Sequence, residues 1–327
     1  MPRLLVLGFS NTALNTGYTA PLRRLLGRSH PELEIRVCGL GGLGPQVVPV
    51  MFERMHRLHG PFTHVLLEIA TSIYARNTPD SREEAEELIA DCLNRVAETG
   101  ARPALLHLLR TDLAGARLPF AQLLTDAAQA QGYPVVDLAE GLVARKGRDF
   151  ALSLLRDTVH TTPEGSLHQA REIAEALGEW LRMAGSPAGP ARPARRRQAL
   201  PLLPHARERD TYVWQDLTCE VALIRAGETL QLQLPEPLLV YGLSFILGPR
   251  SGRLDVGLDT TSLSVPAYDE HCFYRRLGLH LLQPAQQRPR RSITLRQDPA
   301  LPTLPLRRGE ADPSPREGQP VDLLYLG

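Results

Sequence analysis

The 327-residue chain has no apolar run near the roughly 20 residues that a membrane-spanning helix requires. Its first residues also lack the composition of a cleavable export signal, since one early arginine, Arg3, leads straight into a strand-like run. Cysteine is scarce. Cys38, Cys92, Cys219 and Cys272 are scattered, with neither paired nor metal-type spacing, so no disulfide framework and no metal site is expected. A reduced, cytoplasmic protein is the simplest account. Net charge is nearly absent too: 37 basic against 36 acidic residues leaves +1, and no electrostatic reason to expect nucleic acid. What is present, 43% hydrophobic and 22% charged residues, is an ordinary globular composition, and the length points to two domains.

Over residues 1–184 two kinds of segment alternate. Short runs apolar on both faces, 3–8, 33–39, 64–69, 103–109 and 134–138, read as strands of a parallel sheet covered by helices. Helical patterns lie between them. The clearest is Pro79 to Thr99, which Asp80 or Ser81 can cap, with acidic residues in its first turns and Gly100 after its end. Phe120 to Gln131 and Gly165 to Met183 are similar, and Gln46 to Leu58 is a further helical stretch. Five strand–helix repeats imply a three-layer α/β domain, with all strand C-terminal ends along one edge. A ligand would sit at that edge.

Residues 185–210, rich in proline, glycine and arginine, have no hydrophobic period and read as a linker. From 211 to 327 short β-like runs follow one another, separated by turn residues. They suggest a smaller all-β, sandwich-like domain, with 299–320 as a long loop before a final strand.

Two patterns compete for the sheet edge. "GLGGLG" at 39–44 satisfies G-x-G-x-x-G after a strand and before a helix, with Glu68 at the place of a ribose-binding acid. It falls on the second strand, however, whereas a dinucleotide fingerprint normally opens the domain. The other pattern joins "LGFSNT" at 7–12, which puts Ser10 just past the first strand, to "RDTVH" at 156–160 before the last helix. A serine hydroxyl is a poor nucleophile until a base takes its proton, and histidine is the residue type suited to that near neutral pH. Asp157 can orient the His160 ring and stabilise it once charged.

A serine after strand one, a glycine after strand two, a polar residue after strand three and D-x-x-H before the last helix resemble the SGNH, or GDSL-type, hydrolases. The resemblance covers residues 1 to about 184. It implies a flavodoxin-like three-layer fold and ester hydrolysis without a cofactor. By motif, Ser10 matches the nucleophile, Asp157 and His160 the rest of the triad, and Gly42, or its neighbour Gly41, the glycine whose N–H joins that of Ser10 in the oxyanion hole. Two departures stand out. Phe9 replaces the usual aspartate, and the third block reads Ala70-Thr71-Ser72-Ile73, so Ser72 stands where the oxyanion asparagine is expected. Asn11 or Asn77 could supply that donor instead.

The resulting expectation is a serine esterase that removes an acyl group, such as O-acetyl, from a saccharide or related small substrate. Two alternatives are a saccharide O-acyltransferase using the same triad and a non-catalytic glycan-binding protein on a degenerate scaffold. The β-rich half could bind glycan, or serve packing or homo-oligomerisation.

Overall fold

The computed structural model describes residues 1–73, 78–111, 118–183 and 193–327. They form two compact units, one of residues 1–195 with 215–217, the other of residues 196–214 with 218–327.

In the first unit β1 (Arg3–Gly8), β2 (Glu34–Gly39), β3 (His64–Glu68), β4 (Arg102–His107) and β5 (Val135–Asp137) form a parallel sheet ordered β2-β1-β3-β4-β5. That order is the flavodoxin-like one. Successive β1 side chains point to opposite faces, yet Leu4, Leu5, Val6 and Leu7 are all buried, so the sheet is covered on both sides. Leu4, Val6 and Leu66 pack with Leu22 and Leu26 of α2 (Thr19–Ser29) and with Ile173 and Leu177 of α8 (Pro163–Trp180). Burying each such side chain contributes about 1.5–3 kcal/mol.

The other helices are α1 (Ser10–Ala13), α3 (Val48–His59), α4 (Arg82–Glu98), α5 (Pro119–Ala130), α6 (Leu138–Lys146) and α7 (Arg148–Ser153). Of the two caps open to α4, Ser81 is the one used: its Oγ accepts the Glu84 N–H at 3.1 Å. At α8 the Thr162 hydroxyl accepts from Gly165 N–H at 3.0 Å and Pro163 takes the first helical position. Both are ordinary ways of satisfying the unpaired N–H groups of a helix start.

The second unit is built of antiparallel sheets. β10 (Arg253–Leu258), β11 (Thr261–Pro266), β13 (Pro289–Gln297), β9 (Thr229–Leu247), β15 (Pro320–Leu326), β6 (Arg197–Pro201) and β12 (Arg276–Leu281) form one. β7 (Glu208–Trp214), β8 (Leu217–Arg225) and β14 (Glu317–Gly318) form the other. Ala222 and Ile224 of β8 share one core with Leu230, Leu232, Val240, Leu254, Ile293 and Leu295 of the larger sheet.

One sequence expectation is revised here. Residues 185–210 do not read through as a linker: within them Arg197–Pro201 pairs antiparallel with β15, and β7 has begun by Glu208. β6 has little apolar pattern, and a ladder with a partner strand supplies its order instead. β9 runs without a break from Thr229 to Leu247, and its pairing with β13 is interrupted where Pro235 and Pro237 fall beside a register shift between Arg290 and Ser292. Proline is tolerated at such irregularities because no ladder N–H is needed there.

Candidate active site

Strand register brings the motifs together. Gly8 pairs with Gly39 of β2 on one side and Glu68 of β3 on the other. The segments that hold Ser10, Gly41–Gly42 and Thr71–Ser72 therefore leave the sheet side by side, at the point where the strand order reverses.

Local sterics explain the glycines. A Cβ on Gly39 would lie 2.3 Å from the Ala13 Cα, so glycine is what lets α1 rest on the end of β2. Gly39→Ala is expected to destabilise the fold by about 1–3 kcal/mol and to displace the Ser10 turn, checked by urea denaturation and by the rate of active-serine labelling. Beyond it, the Leu43 N–H donates to the Leu40 carbonyl at 3.2 Å and Gly42 adopts φ +81°. That is a type II turn, whose third position calls for glycine. Gly41 lies against the Ala13 side of α1, whereas the Cα of Gly42 faces open space.

Gln215, counted with this unit, ties the same pieces together. Its Oε1 accepts the Gly39 N–H at 2.7 Å and its Nε2 donates to the Thr12 carbonyl at 2.9 Å. Next to it Asp216 accepts the Val37 N–H at 2.8 Å and pairs with Arg23 at 2.6 Å. Burial raises the Asp216 pKa, but the Val37 hydrogen bond and the arginine charges outweigh it and hold the carboxyl below its ordinary value.

Ser10, His160 and Asp157 form a continuous chain. His160 Nε2 lies 2.8 Å from Ser10 Oγ. On its other side Nδ1 lies 2.9 Å from Asp157 Oδ2 and 3.0 Å from Oδ1. Asp157 Oδ1 also accepts the backbone N–H groups of His160, at 2.9 Å, and Val159, at 3.1 Å. Partial burial works against the Asp157 charge. Those two backbone donors and the ring outweigh it, so its pKa is lowered. With the carboxylate on Nδ1, the neutral ring carries its proton there and offers the Nε2 lone pair to Ser10. A serine so placed can attack a carbonyl carbon.

The third-block substitutes separate. Ser72 is buried, and its Oγ is 3.0 Å from the Asn11 side-chain nitrogen. Asn11, also buried, donates from that nitrogen to the Val159 carbonyl as well, at 2.9 Å. Both of its N–H bonds are thus directed at protein acceptors, which removes Asn11 as an oxyanion donor. Asn77 lies outside the described residues.

Glu68 has a different part from the one its place in the glycine pattern suggested. It is fully buried, and its Oε2 accepts the Phe9 N–H at 3.2 Å and the Thr12 hydroxyl at 3.1 Å. Thr12 in turn meets the Tyr18 hydroxyl at 2.9 Å. No ribose can reach this carboxyl, so the dinucleotide reading fails. Burial pushes the Glu68 pKa up to about 8, against the hydrogen bonds from Phe9, Thr12 and Thr71. Its effect is to fix the turn that ends β1, one residue before Ser10. A lone acid inside the apolar run "HVLLEI" was the available signal.

Among the described residues no cluster of His, Cys, Asp or Glu is arranged to hold a metal, and no helix is long and apolar enough to cross a membrane. All four cysteines are buried, and among the described residues none is in a disulfide.

No family model matches the chain, and neither does any curated protein. Solved structures do. A two-domain esterase (CEX) active on acetylated mannans matches with a TM-score of 0.65 and 16% identity, over 100% of this chain and 91% of that one. The two chains share one two-domain fold. The same esterase co-crystallized with mannopentaose matches at 0.66, again with 16% identity, over 100% of this chain and 90% of that one. A lipase/acylhydrolase from Enterococcus faecalis matches at 0.44 with 15% identity, over 57% of this chain and 100% of its own. An α/β unit with a parallel five-stranded sheet, followed by an antiparallel β unit, is thus an architecture that an esterase has.

Proposed function

We propose that the protein is a serine esterase that removes an acyl group, O-acetyl first among them, from a saccharide. The observation that carries this is the 2.8 Å approach of His160 Nε2 to Ser10 Oγ, with Asp157 at 2.9 Å from the opposite ring nitrogen. The saccharide part rests on the whole-chain likeness to an esterase active on acetylated mannans.

In this mechanism His160 takes the Ser10 proton as Oγ bonds to the ester carbonyl carbon. The carbonyl π electrons move to oxygen and give a tetrahedral oxyanion. The N–H groups of Ser10 and Gly42 and the Ser72 hydroxyl stabilise that charge. Collapse breaks the bond to the sugar oxygen, which leaves with the proton held on His160. Water, deprotonated by the same ring, then attacks the acyl carbon; the bond to Ser10 Oγ breaks, Oγ takes the proton back from His160, and the acid leaves. Asp157 keeps the ring in the required tautomer and stabilises it while charged.

A fluorophosphonate probe tests this reading. Peptide mass analysis should find a single adduct, on Ser10, and acetate should be released from acetylated manno-oligosaccharides. An adduct on another serine overturns the assignment. Saccharide binding with neither labelling nor turnover would favour the non-catalytic alternative.

A further inference from the structure

Ser72 carries its donor one bond nearer the backbone than an asparagine would, and its hydroxyl both donates and accepts. A rotating hydroxyl is a poor oxyanion donor, because it can turn its proton toward any nearby acceptor. The site contains a device that prevents this. Asn11, the residue after Ser10, directs one N–H at Ser72 Oγ from 3.0 Å and the other at the Val159 carbonyl from 2.9 Å. With that Oγ engaged as an acceptor, the Ser72 proton has to point elsewhere.

We infer that Asn11 is a positioning residue that polarises Ser72, fixing its hydroxyl as a donor toward the oxyanion, and pins the Asp157–His160 loop to the nucleophile turn through Val159. The inference rests on the esterase reading above and deepens it. Asn11 spans 61 residues to Ser72 and 148 to Val159, so one amide sets the distance between the nucleophile, the oxyanion donor and the base-bearing loop. Its carbonyl oxygen plays no part in this; what matters is that the side chain ends in two donors. The substituted third block then keeps its oxyanion donor, with the length lost at Ser72 made up by orientation from Asn11.

A double-mutant cycle decides it. In the wild-type background Ser72→Ala should lower kcat by about 100-fold, the effect of losing one oxyanion donor, with KM changed less than about threefold. Asn11→Asp replaces the two donors by acceptors at nearly the same shape, so the Ser72 proton is drawn inward. It should cost at least as much in kcat. In the Asn11→Asp background, adding Ser72→Ala should change kcat by less than about threefold, because the donor is already lost. Independent, multiplicative losses overturn the inference, as does Asn11→Asp activity within about threefold of wild type or a silent Ser72→Ala. If Asn11→Asp does not fold, judged by circular dichroism, Asn11→Ala takes its place in the cycle. There the Ser72→Ala effect should shrink at least tenfold, and an undiminished effect overturns the inference. Fluorophosphonate labelling of Ser10 in the wild type, read beside the cycle, separates failure here from failure of the esterase reading itself.

Discussion

Ser10→Ala should lower kcat on an acetyl ester by on the order of 10^4- to 10^6-fold and abolish fluorophosphonate labelling, with the fold unchanged. The expectation follows from the unbroken contact chain Asp157–His160–Ser10, in which the serine oxygen is the only atom at the end of the relay that can become a nucleophile. His160→Gln should cost nearly as much, because the amide cannot take the proton. Asp157 is held below its ordinary carboxylate range by its two backbone donors and the ring despite partial burial, so it stays ionised in mildly acid solution and keeps its hold on His160. Acetate release at saturating substrate, measured for both variants, checks these statements. Activity in Ser10→Ala within tenfold of wild type would remove Ser10 from the chemistry.

Glu68→Gln should make the protein more stable in alkaline solution and leave its stability in acid nearly unchanged. Native Glu68 gives up its proton near pH 8, against an ordinary value of 4.5. Below about 4.5 both the folded and unfolded chains hold that proton, and the group adds no penalty. Between 4.5 and about 8 the unfolded chain releases it while the folded chain keeps it, so stability falls as pH rises. Above about 8 the penalty is complete, at up to about 5 kcal/mol for a gap of this size at ~1.36 kcal/mol per pH unit. Glutamine mimics the protonated carboxyl: it can still accept from Phe9 N–H and Thr12 but has no charge to bury. Urea denaturation of both proteins at pH 5 and pH 9 reads the difference. Equal stability changes at the two pH values would mean that Glu68 is solvated or paired in solution.

Much of this arrangement was legible in the chain. β1 ran from Arg3 to Gly8 as read, because an apolar run that stops at glycine leaves little choice. The parallel sheet followed from strands apolar on both faces, and the sharing of one edge by Ser10 and the D-x-x-H loop followed from that sheet. Side-chain partnerships were not legible. Asn11 gave no sign of its hold on Ser72 and Val159, since a polar residue just past a strand end looks like any turn residue until its distant acceptors are known. Glu68 was visible as an acid in an apolar strand, but the direction in which it faces depends on how β3 pairs with β1. β6 escaped because hydrogen bonds to β15, rather than an apolar period, hold it in place. Gln215 escaped because it turns the chain with φ 53° where glycine or asparagine would have been the usual signal.

The clasp that Gln215 and Asp216 place on Gly39, Val37 and Thr12 also bears on how the chain matures as it is made. Synthesis runs from the N-terminus, so β2 leaves the ribosome 179 residues before the carboxylate that will accept the Val37 N–H. Until then Arg23 and Arg36 lack the anion that joins them, and the end of β2 has an open N–H at Gly39. A nascent chain or a fragment that stops at residue 195 therefore holds Ser10, Asp157 and His160 but not the clasp beside them. Such a product is expected to assemble its sheet and yet leave the turn after Ser10 loosely held, the contacts among Ser10, His160 and Asp157 becoming firm only when residues 215–217 arrive.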